Sequence, residues 1–260
     1  MQAAEYDTLR AVEDRHWWYA VLHGLVLRAL AGGLPAHAQV LDAGCGTGGM
    51  LVFLRERMQD LDAAGIDASE QAVWHCQQRG LAGVRNGTVH ELPFEDGAFD
   101  AVLSLDVLYH AGVDEDRALA EMSRVLRPGG LLVLNLPAFA GLRGAHDAAV
   151  CGVRRYKASH MRPLLEPHNL HVEMIHYWNA WLFLPLLVWR RWSRVRMKHA
   201  DGSVSDVKLP PTWLNRSLAG AGRLDAWLCR VLRLPLGSSV FAVARRMNSP
   251  SGGHGDGGGC

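Results

Sequence analysis

The chain has 260 residues, 49% of them hydrophobic, which suffices for one α/β domain with an elaboration or for two small domains. Its formal net charge of +1 provides no global field that would favour nucleic acid or another strongly charged partner. The five cysteines are widely spaced and no secretion signal is visible at the N-terminus, so we expect a cytoplasmic protein.

The chain begins with one or two predicted amphipathic helices within residues 3–31, which carry the sequence His-Trp-Trp-Tyr at 16–19. A Gly-Gly-Leu-Pro segment then ends the helical pattern. We expect residues 1–35 to form a helical lid that places Trp18 over a bound ligand, because aromatic faces attract cations. The alternative is a helix that packs on the sheet through its aromatic side chains.

The most informative segment follows the first predicted strand, residues 39–42. Asp42 ends this strand, and glycines then alternate at positions 44, 46 and 48 before a helix over 49–58. Such a bend lets backbone N–H groups approach a ligand without interference from a Cβ atom. The spacing also fits the dinucleotide fingerprint G-x-G-x-x-G. Asp42 favours a ligand with a cationic ammonium and sulfonium, because a carboxylate would repel a pyrophosphate.

Strands and helices continue to alternate as far as residue 136, which predicts a parallel, doubly wound sheet. Asp67 ends the second strand, and Ser69 is the predicted N-cap of the helix that follows it. The predicted strands are 63–67, 84–88, 99–104 and 131–136, and the predicted helices are 69–79 and 114–126.

The pattern changes after residue 137, where we expect a helix at 159–168 and strands at 170–176 and 240–245. We divide the chain into the lid, a core of 36–176 and 237–247, a Trp-rich helical insertion of 177–236, and a flexible tail of 248–260.

The Trp-rich insertion admits three interpretations. Its longest strongly apolar stretch, 180–189, is shorter than the roughly 20 residues that span a bilayer. Together with the arginines that follow, it is consistent with contact to a membrane surface, with a cap on an acceptor pocket or a homodimer contact, or with a plain helical core.

Residues 40–136 resemble the class I S-adenosylmethionine-dependent methyltransferases in five ordered motifs. These are Asp42-x-Gly44-x-Gly46-x-Gly48, Asp67, Leu92-Pro93-Phe94 with Phe99-Asp100, the segment 104–110, and the Pro-Gly-Gly turn within 124–130. The resemblance implies a seven-stranded sheet whose last strand, 240–245, is antiparallel and pairs with 170–176. It also implies that S-adenosylmethionine binds at the carboxyl ends of the first strands.

The resemblance assigns cofactor contacts to positions of this chain. Asp67 would bind both ribose hydroxyls, and the Val89 N–H would reach the adenine ring. Thr88 stands where many relatives have an acid, and its hydroxyl can accept a weaker hydrogen bond from the adenine amino group. The predicted contacts are Trp18, Asp42, Gly44, Cys45, Gly46, Gly48, Asp67, Ala68, Thr88, Val89 and Leu105.

The flanks resemble a narrower group of bacterial methyltransferases, which share the His-Trp-Trp-Tyr helix, a His-Asp pair and an Arg-Arg-Tyr segment. The catalytic candidates are His110 and His146 as bases, and Tyr156, with Arg155, as an acceptor contact. The alternatives are a backbone-bonded His110, a surface loop at His146-Asp147, and a salt bridge beside a core tyrosine.

Taken together, we expect methyl transfer to an oxygen or nitrogen of a small or medium-sized acceptor, in specialised metabolism or on a lipid-linked or glycan precursor. The alternatives are a catalytically silent cofactor-binding module that acts through protein contacts, and an NAD(P)-dependent oxidoreductase. No Asp-Pro-Pro-Tyr-like sequence is present, which disfavours methylation of nucleic-acid bases. His168-x-x-His171 lacks a third nearby ligand, so no metal is expected.

Overall fold

The computed structural model describes residues 3–144, 147, 150–196 and 209–248, and its seven strands form one sheet. The strands are β1 Gln39–Ala43, β2 Asp62–Asp67, β3 Val84–Asn86, β4 Phe99–Leu105, β5 Leu126–Pro137, β6 Leu170–Trp178 and β7 Ser239–Arg246. The helices are α1 Ala3–Val12, α2 Trp17–Leu30, α3 Gly49–Arg57, α4 Glu70–Gln78, α5 Glu115–Val125, α6 Ala158–Leu165, α7 Phe183–Arg196 and α8 Thr212–Leu232.

The strand order is β3-β2-β1-β4-β5-β7-β6, and only β7 runs antiparallel to its neighbours. The predicted α/β class, the seven strands and the pairing of the last strand with β6 are therefore confirmed. The central strands β1, β4 and β5 are almost entirely buried because helices cover both faces. The strand order reverses between β1 and β4, so ligands are expected at the carboxyl ends of these two strands.

The boundary between α5 and β5 differs from the sequence prediction. The helix ends at Val125, one residue before its predicted end, and β5 already begins at Leu126 instead of at residue 131. Leu126 pairs with Phe99 and Leu131 pairs with Ala101, so the residues between them bulge out of the ladder. The predicted Pro-Gly-Gly turn is thus an irregularity inside one strand.

The second helix of the predicted insertion belongs to the protein core. Ala219 and Ala226 of α8 are buried in one apolar cluster with Val21 of α2. Gly222 permits this contact, since an added Cβ would lie 2.8 Å from Val21 Cγ2. Asn215 Oδ1 also accepts a 2.9 Å hydrogen bond from the backbone N–H of Trp17 at the start of α2.

Two further sequence expectations are limited by what the structure describes. The predicted flexible tail lies outside the described residues from position 249 onward. Within the described residues, none of the helices is both long enough and apolar enough to cross a membrane.

The turn into β7 provides a stability test. A Cβ at Gly237 would lie 2.5 Å from the backbone oxygen of Trp178, which has no room to move at the end of β6. We expect Gly237→Ala to lower the free energy of unfolding by about 1–3 kcal/mol, as overpacking does elsewhere, measured by urea denaturation.

Gly220 is the matched control, because a Cβ there meets nothing within 4 Å in the middle of α8. Gly220→Ala should raise the free energy of unfolding by about 0.5–1 kcal/mol through helix propensity. Equal stabilities of the two variants would contradict the packing argument.

Candidate active site

A cavity of about 810 Å³ opens at the carboxyl ends of β1, β2 and β4, a volume in the usual range for small-molecule sites. Residues of α1 and α2 also line it, which is the position expected of a lid. The predicted residues that line the cavity are Trp18, Asp42, Gly44, Cys45, Gly46, Asp67, Ala68, Thr88, Val89, Leu105 and His110. Their individual contacts with a ligand stay predictions.

The glycine bend is forced by close contacts and by left-handed backbone. Gly44 has φ +94°, and an added Cβ would clash with the Val107 side chain, which lies directly behind the bend. Gly48 has φ +83°, but its missing Cβ makes room for Leu81 Cδ1, 2.5 Å from the Cβ position. Gly48 is not among the residues that line the cavity, so the structure gives it a packing role against the segment after α4.

Asp42 provides a negative charge without a partner. Its side chain is buried, and Oδ1 makes no hydrogen bond within the described part of the chain. Burial, and then the nearby Asp67 and Glu13 carboxylates, raise the pKa of Asp42 to about 7. A cationic group of a ligand would supply the missing partner, and the ammonium of S-adenosylmethionine meets this requirement.

Asp67 is held in a single orientation at the end of β2. Its carboxylate accepts hydrogen bonds from the N–H groups of Gly46 and Ser69, both at 2.9 Å, and from the Tyr6 hydroxyl at 3.3 Å. These donors use three of the four lone pairs of the carboxylate, which leaves one on Oδ2 for a further donor such as a ribose hydroxyl. The predicted contact with both ribose hydroxyls stays a prediction.

The hydrogen bonds of Thr88 indicate that its hydroxyl would donate to a ligand, whereas the sequence predicts that it accepts. The N–H of Asp114 donates to His90 Nε2 at 2.8 Å, so the ring proton of His90 lies on Nδ1. This nitrogen donates to Thr88 Oγ1 at 3.0 Å, and the His90 backbone N–H contacts the same oxygen at 3.3 Å. The acceptor capacity of Thr88 is thus used, and its hydroxyl is left to donate to a ring nitrogen of a base, whereas we expected it to accept.

The N-terminus of α3 is covered by a carboxylate of the chain itself. Glu13 is buried there, and it contacts the Thr47 hydroxyl and the Arg79 guanidinium. Gly49 lacks a Cβ where one would lie 2.5 Å from Glu13 Oε2. A dinucleotide fold places a pyrophosphate at this helix end, so the position of Glu13 opposes that alternative.

A hydrogen-bond chain holds a second carboxylate in the cavity, at Asp106 after β4. The Trp178 indole N–H donates to Asn135 Oδ1 at 2.9 Å, and Asn135 Nδ2 donates to Asp106 Oδ2 at 2.8 Å. An indole can only donate, so the chain fixes the Asn135 amide and makes Asp106 the acceptor. Burial raises the pKa of Asp106 to about 7, against the lowering effects of Asn135 and Arg155.

His110 lies in the same wall of the cavity as a neutral imidazole. Its Nδ1 is 2.6 Å from the Val150 carbonyl oxygen and must donate to it, which leaves Nε2 as an acceptor. Burial lowers the pKa of His110. Its ring packs on Tyr109 with centroids 4.3 Å apart. His110 therefore makes the backbone hydrogen bond that the alternative interpretation predicts, and its Nε2 can still accept a proton.

Of the other catalytic candidates, the described structure brings only Arg155 to the cavity. Tyr156 is buried outside its lining, and its hydroxyl contacts Glu115 Oε1 at 2.6 Å and the Leu108 carbonyl at 3.2 Å. Its position is that of the core tyrosine considered from the sequence. His146 lies outside the described residues, and the Asp147 beside it pairs with Arg155 at 2.9 Å.

Among the cavity residues that sequence reasoning missed, three have polar side chains that matter for the chemistry of the site. Asp106 lies in the motif segment after β4, but nothing in that pattern distinguished a buried carboxylate from a turn residue. Glu13 lies within the amphipathic helices predicted over 3–31, a pattern that does not single it out, and the structure places it just after α1. Asn179 follows β6 with φ +57°, is fully buried, and neither of its amide atoms has a hydrogen-bond partner in the described residues.

Comparisons with known proteins agree with this geometry. Residues 41–134 match a family described as a methyltransferase domain. Over 115 residues the chain is 39% identical to phthiotriol/phenolphthiotriol dimycocerosates methyltransferase 1 of Mycobacterium ulcerans. The aligned region covers 43% of this chain and 40% of that protein. The chain spans less than two thirds of the length of the curated relatives that it matches first.

Solved structures are similar over most of the fold. A putative methyltransferase in complex with the Trm112 activator of Haloferax volcanii has a TM-score of 0.58 at 20% identity and covers 94% of this chain and 98% of that one. The geranyl diphosphate C-methyltransferase of Streptomyces coelicolor, solved with S-adenosyl-L-homocysteine, has a TM-score of 0.53 at 18% identity, over 86% and 78%. The predicted class I fold is confirmed, and S-adenosylmethionine is the cofactor of this kind of domain.

The unpaired carboxylate of Asp42 gives a test of cofactor binding. We expect Asp42→Asn to weaken S-adenosylmethionine binding by roughly ten- to a hundredfold in calorimetric titration, since one hydrogen-bonded charge pair is lost. Only ionised Asp42 attracts the ammonium, so wild-type affinity should rise roughly tenfold from pH 5.5 to 7.5, as the group ionises near pH 7.

The Asn variant should lose this rise with pH. Asp62→Asn is the control, because Asp62 is an exposed carboxylate at the start of β2, outside the cavity lining, and its side chain accepts a 2.9 Å hydrogen bond from Gln39 Nε2. Wild-type affinity and pH dependence in Asp42→Asn would contradict the assignment.

Proposed function

Because residues 41–134 are a class I S-adenosylmethionine-dependent methyltransferase domain, we propose that the chain transfers a methyl group to an oxygen or nitrogen of a small or medium-sized acceptor. The observation that carries this proposal is the presence of two carboxylates in one cavity, the buried Asp42 after β1 and the half-buried Asp106 after β4. Asp42 suits a cationic methyl donor, and Asp106 suits an acceptor that must lose a proton.

The donor side of the cavity supplies orientation. When bound, S-adenosylmethionine provides a methyl group already activated on a positively charged sulfur. In this proposal Asp42 holds the ammonium, Asp67 holds the ribose hydroxyls, and the Thr88 hydroxyl donates to the adenine ring. Fixing the donor and excluding water are the main contributions that such a displacement needs from the protein.

The acceptor side supplies a base. A hydroxyl or a protonated amine must lose a proton before or during attack on the methyl group. Asp106 is positioned for this by Asn135, and its pKa of about 7 lies near the range in which a general base is most effective. His110 is the second group that offers a free lone pair in this wall. Asp106 thus takes the base role that the sequence analysis predicts for His110 and His146.

Two observations disfavour the alternatives. The unpaired buried amide of Asn179 destabilises a protein, so its place in the cavity is easier to explain by a bound acceptor than by a silent module. Glu13 at the α3 N-terminus opposes a nicotinamide dinucleotide. The solved neighbours carry names as different as dimethylglycine and geranyl diphosphate methyltransferase, so the fold does not set the acceptor.

The experiment is a screen for S-adenosyl-L-homocysteine production with hydroxyl- and amine-bearing acceptors. With an active acceptor, we expect Asp106→Asn to lower kcat by roughly 10²–10⁴, as loss of a general base does. Wild-type kcat should rise with pH through about 7, because Asp106 must be ionised, and the Asn variant should lose this dependence.

Tyr156→Phe is the control, since it removes a hydroxyl that lies outside the cavity lining. It should keep wild-type kcat and lose about 1 kcal/mol of unfolding free energy. Binding of NADH without any binding of S-adenosylmethionine would overturn the proposed function.

A further inference from the structure

Exposed tryptophans are concentrated in one part of the chain. Five described tryptophans in the segment 177–236 are at least 39% exposed, whereas elsewhere in the described chain only Trp74 is. Trp181 lies just before α7, Trp189 and Trp192 lie in α7, and Trp213 and Trp227 lie in α8. Large aromatic side chains normally cover apolar surface, so this exposure needs an explanation.

The helix α7 is apolar on two opposite faces. Its inner face packs on the core, with Phe183 5.1 Å from Phe139 between ring centroids. Its outer face exposes Leu184 by 63%, Val188 by 67% and Trp189 by 57%. A surface helix of a globular protein usually has a polar outer face, so the outer face of α7 is built to contact an apolar phase.

Charge is distributed as unevenly as tryptophan. The segment 177–236 contains ten Lys and Arg but three Asp, whereas the rest of the chain contains 17 Lys and Arg but 23 Asp and Glu. In α8 the single acid, Asp225, is buried and bonded to the N–H groups of Ala180 and Trp181 at 3.2 and 3.1 Å. The charged residues exposed on α8 are arginines, such as Arg216 and Arg223.

We propose that α7 and α8 form a docking surface, here called the Trp-Arg surface, for a membrane leaflet that contains anionic lipid. Tryptophan and arginine are the residues that settle at the boundary between acyl chains and anionic headgroups. A second copy of this chain is a poorer partner, because the arginine-rich surface would repel itself.

The Trp-Arg surface is continuous with the cavity. Leu182, just before α7, and Leu186 within it line the cavity, while Leu184 and Val188 point outward. An acceptor with an apolar chain can therefore pass from the leaflet along α7 toward Asp106. This substrate class, a lipid-attached hydroxyl or amine, rests on the proposed function, whereas membrane docking does not.

The test is co-sedimentation with vesicles, in the absence of cofactor. We expect the wild-type chain to bind equimolar phosphatidylglycerol–phosphatidylcholine vesicles roughly tenfold more tightly than pure phosphatidylcholine vesicles. The double variant Trp213→Ser/Trp227→Ser, and separately Arg216→Glu/Arg223→Glu, should each weaken binding to the anionic vesicles by roughly tenfold.

Trp74→Ser is the matched control, because Trp74 is 53% exposed on α4, outside the Trp-Arg surface, and should leave vesicle binding unchanged. Unchanged thermal unfolding of every variant excludes misfolding, and unchanged calorimetric binding of S-adenosylmethionine separates docking from the proposed function. Absence of binding to anionic vesicles would overturn docking. So would vesicle binding that the surface variants do not weaken, or a dimer in sedimentation velocity that the tryptophan variant dissociates.

Discussion

Negative charge buried at the carboxyl edge of the sheet is the constraint around which the cavity is organised. Asp42, Asp67, Asp106 and Glu13 all line it, although each loses hydration there. The chain compensates three of them, through backbone N–H groups, the Asn135 amide, and Arg79. Of these four, only Asp42 has a fully buried oxygen without a partner in the described structure, so binding of a cation there recovers free energy that folding has already spent.

The same constraint explains how the N-terminal helix is attached. Tyr6 donates to Asp67, Asp7 lies 2.9 Å from His75, and Glu13 and Asp14 pair with Arg79. These contacts reach Asp67 in the cavity and the helix α4 with its C-terminal Arg79, and they are polar. α2, by contrast, is held by buried apolar side chains packed on α8. The two halves of the predicted lid therefore differ: α1 depends on the charge state of the site, and α2 belongs to the core.

The sheet was predictable because each strand is a short apolar run with a glycine or an acid at its end, and these signals are local. The cavity wall formed by Asp42, Asp67 and Thr88 followed from them, since parallel strands end at one edge. Asp106 and Asn179 were not predictable, because their surroundings depend on contacts far away in sequence. The hydrogen-bond chain from Trp178 through Asn135 positions Asp106, and Asn179 is buried with an unpaired amide just before α7. The polarity of Thr88 depended on His90, whose tautomer is set by the Asp114 N–H.

The two walls of the cavity come from different parts of the chain, and this indicates which part selects the acceptor. The donor wall is built by β1, β2 and the glycine bend, all within the 41–134 domain that the family shares. The opposite wall is built by Asp147, Asn179, Leu182 and Leu186, all beyond residue 134. A part of the chain outside the matched domain thus forms the surface against which an acceptor must fit. Because that wall continues into an exposed apolar helix, its chemistry favours an acceptor with an apolar portion over a small, fully hydrated one.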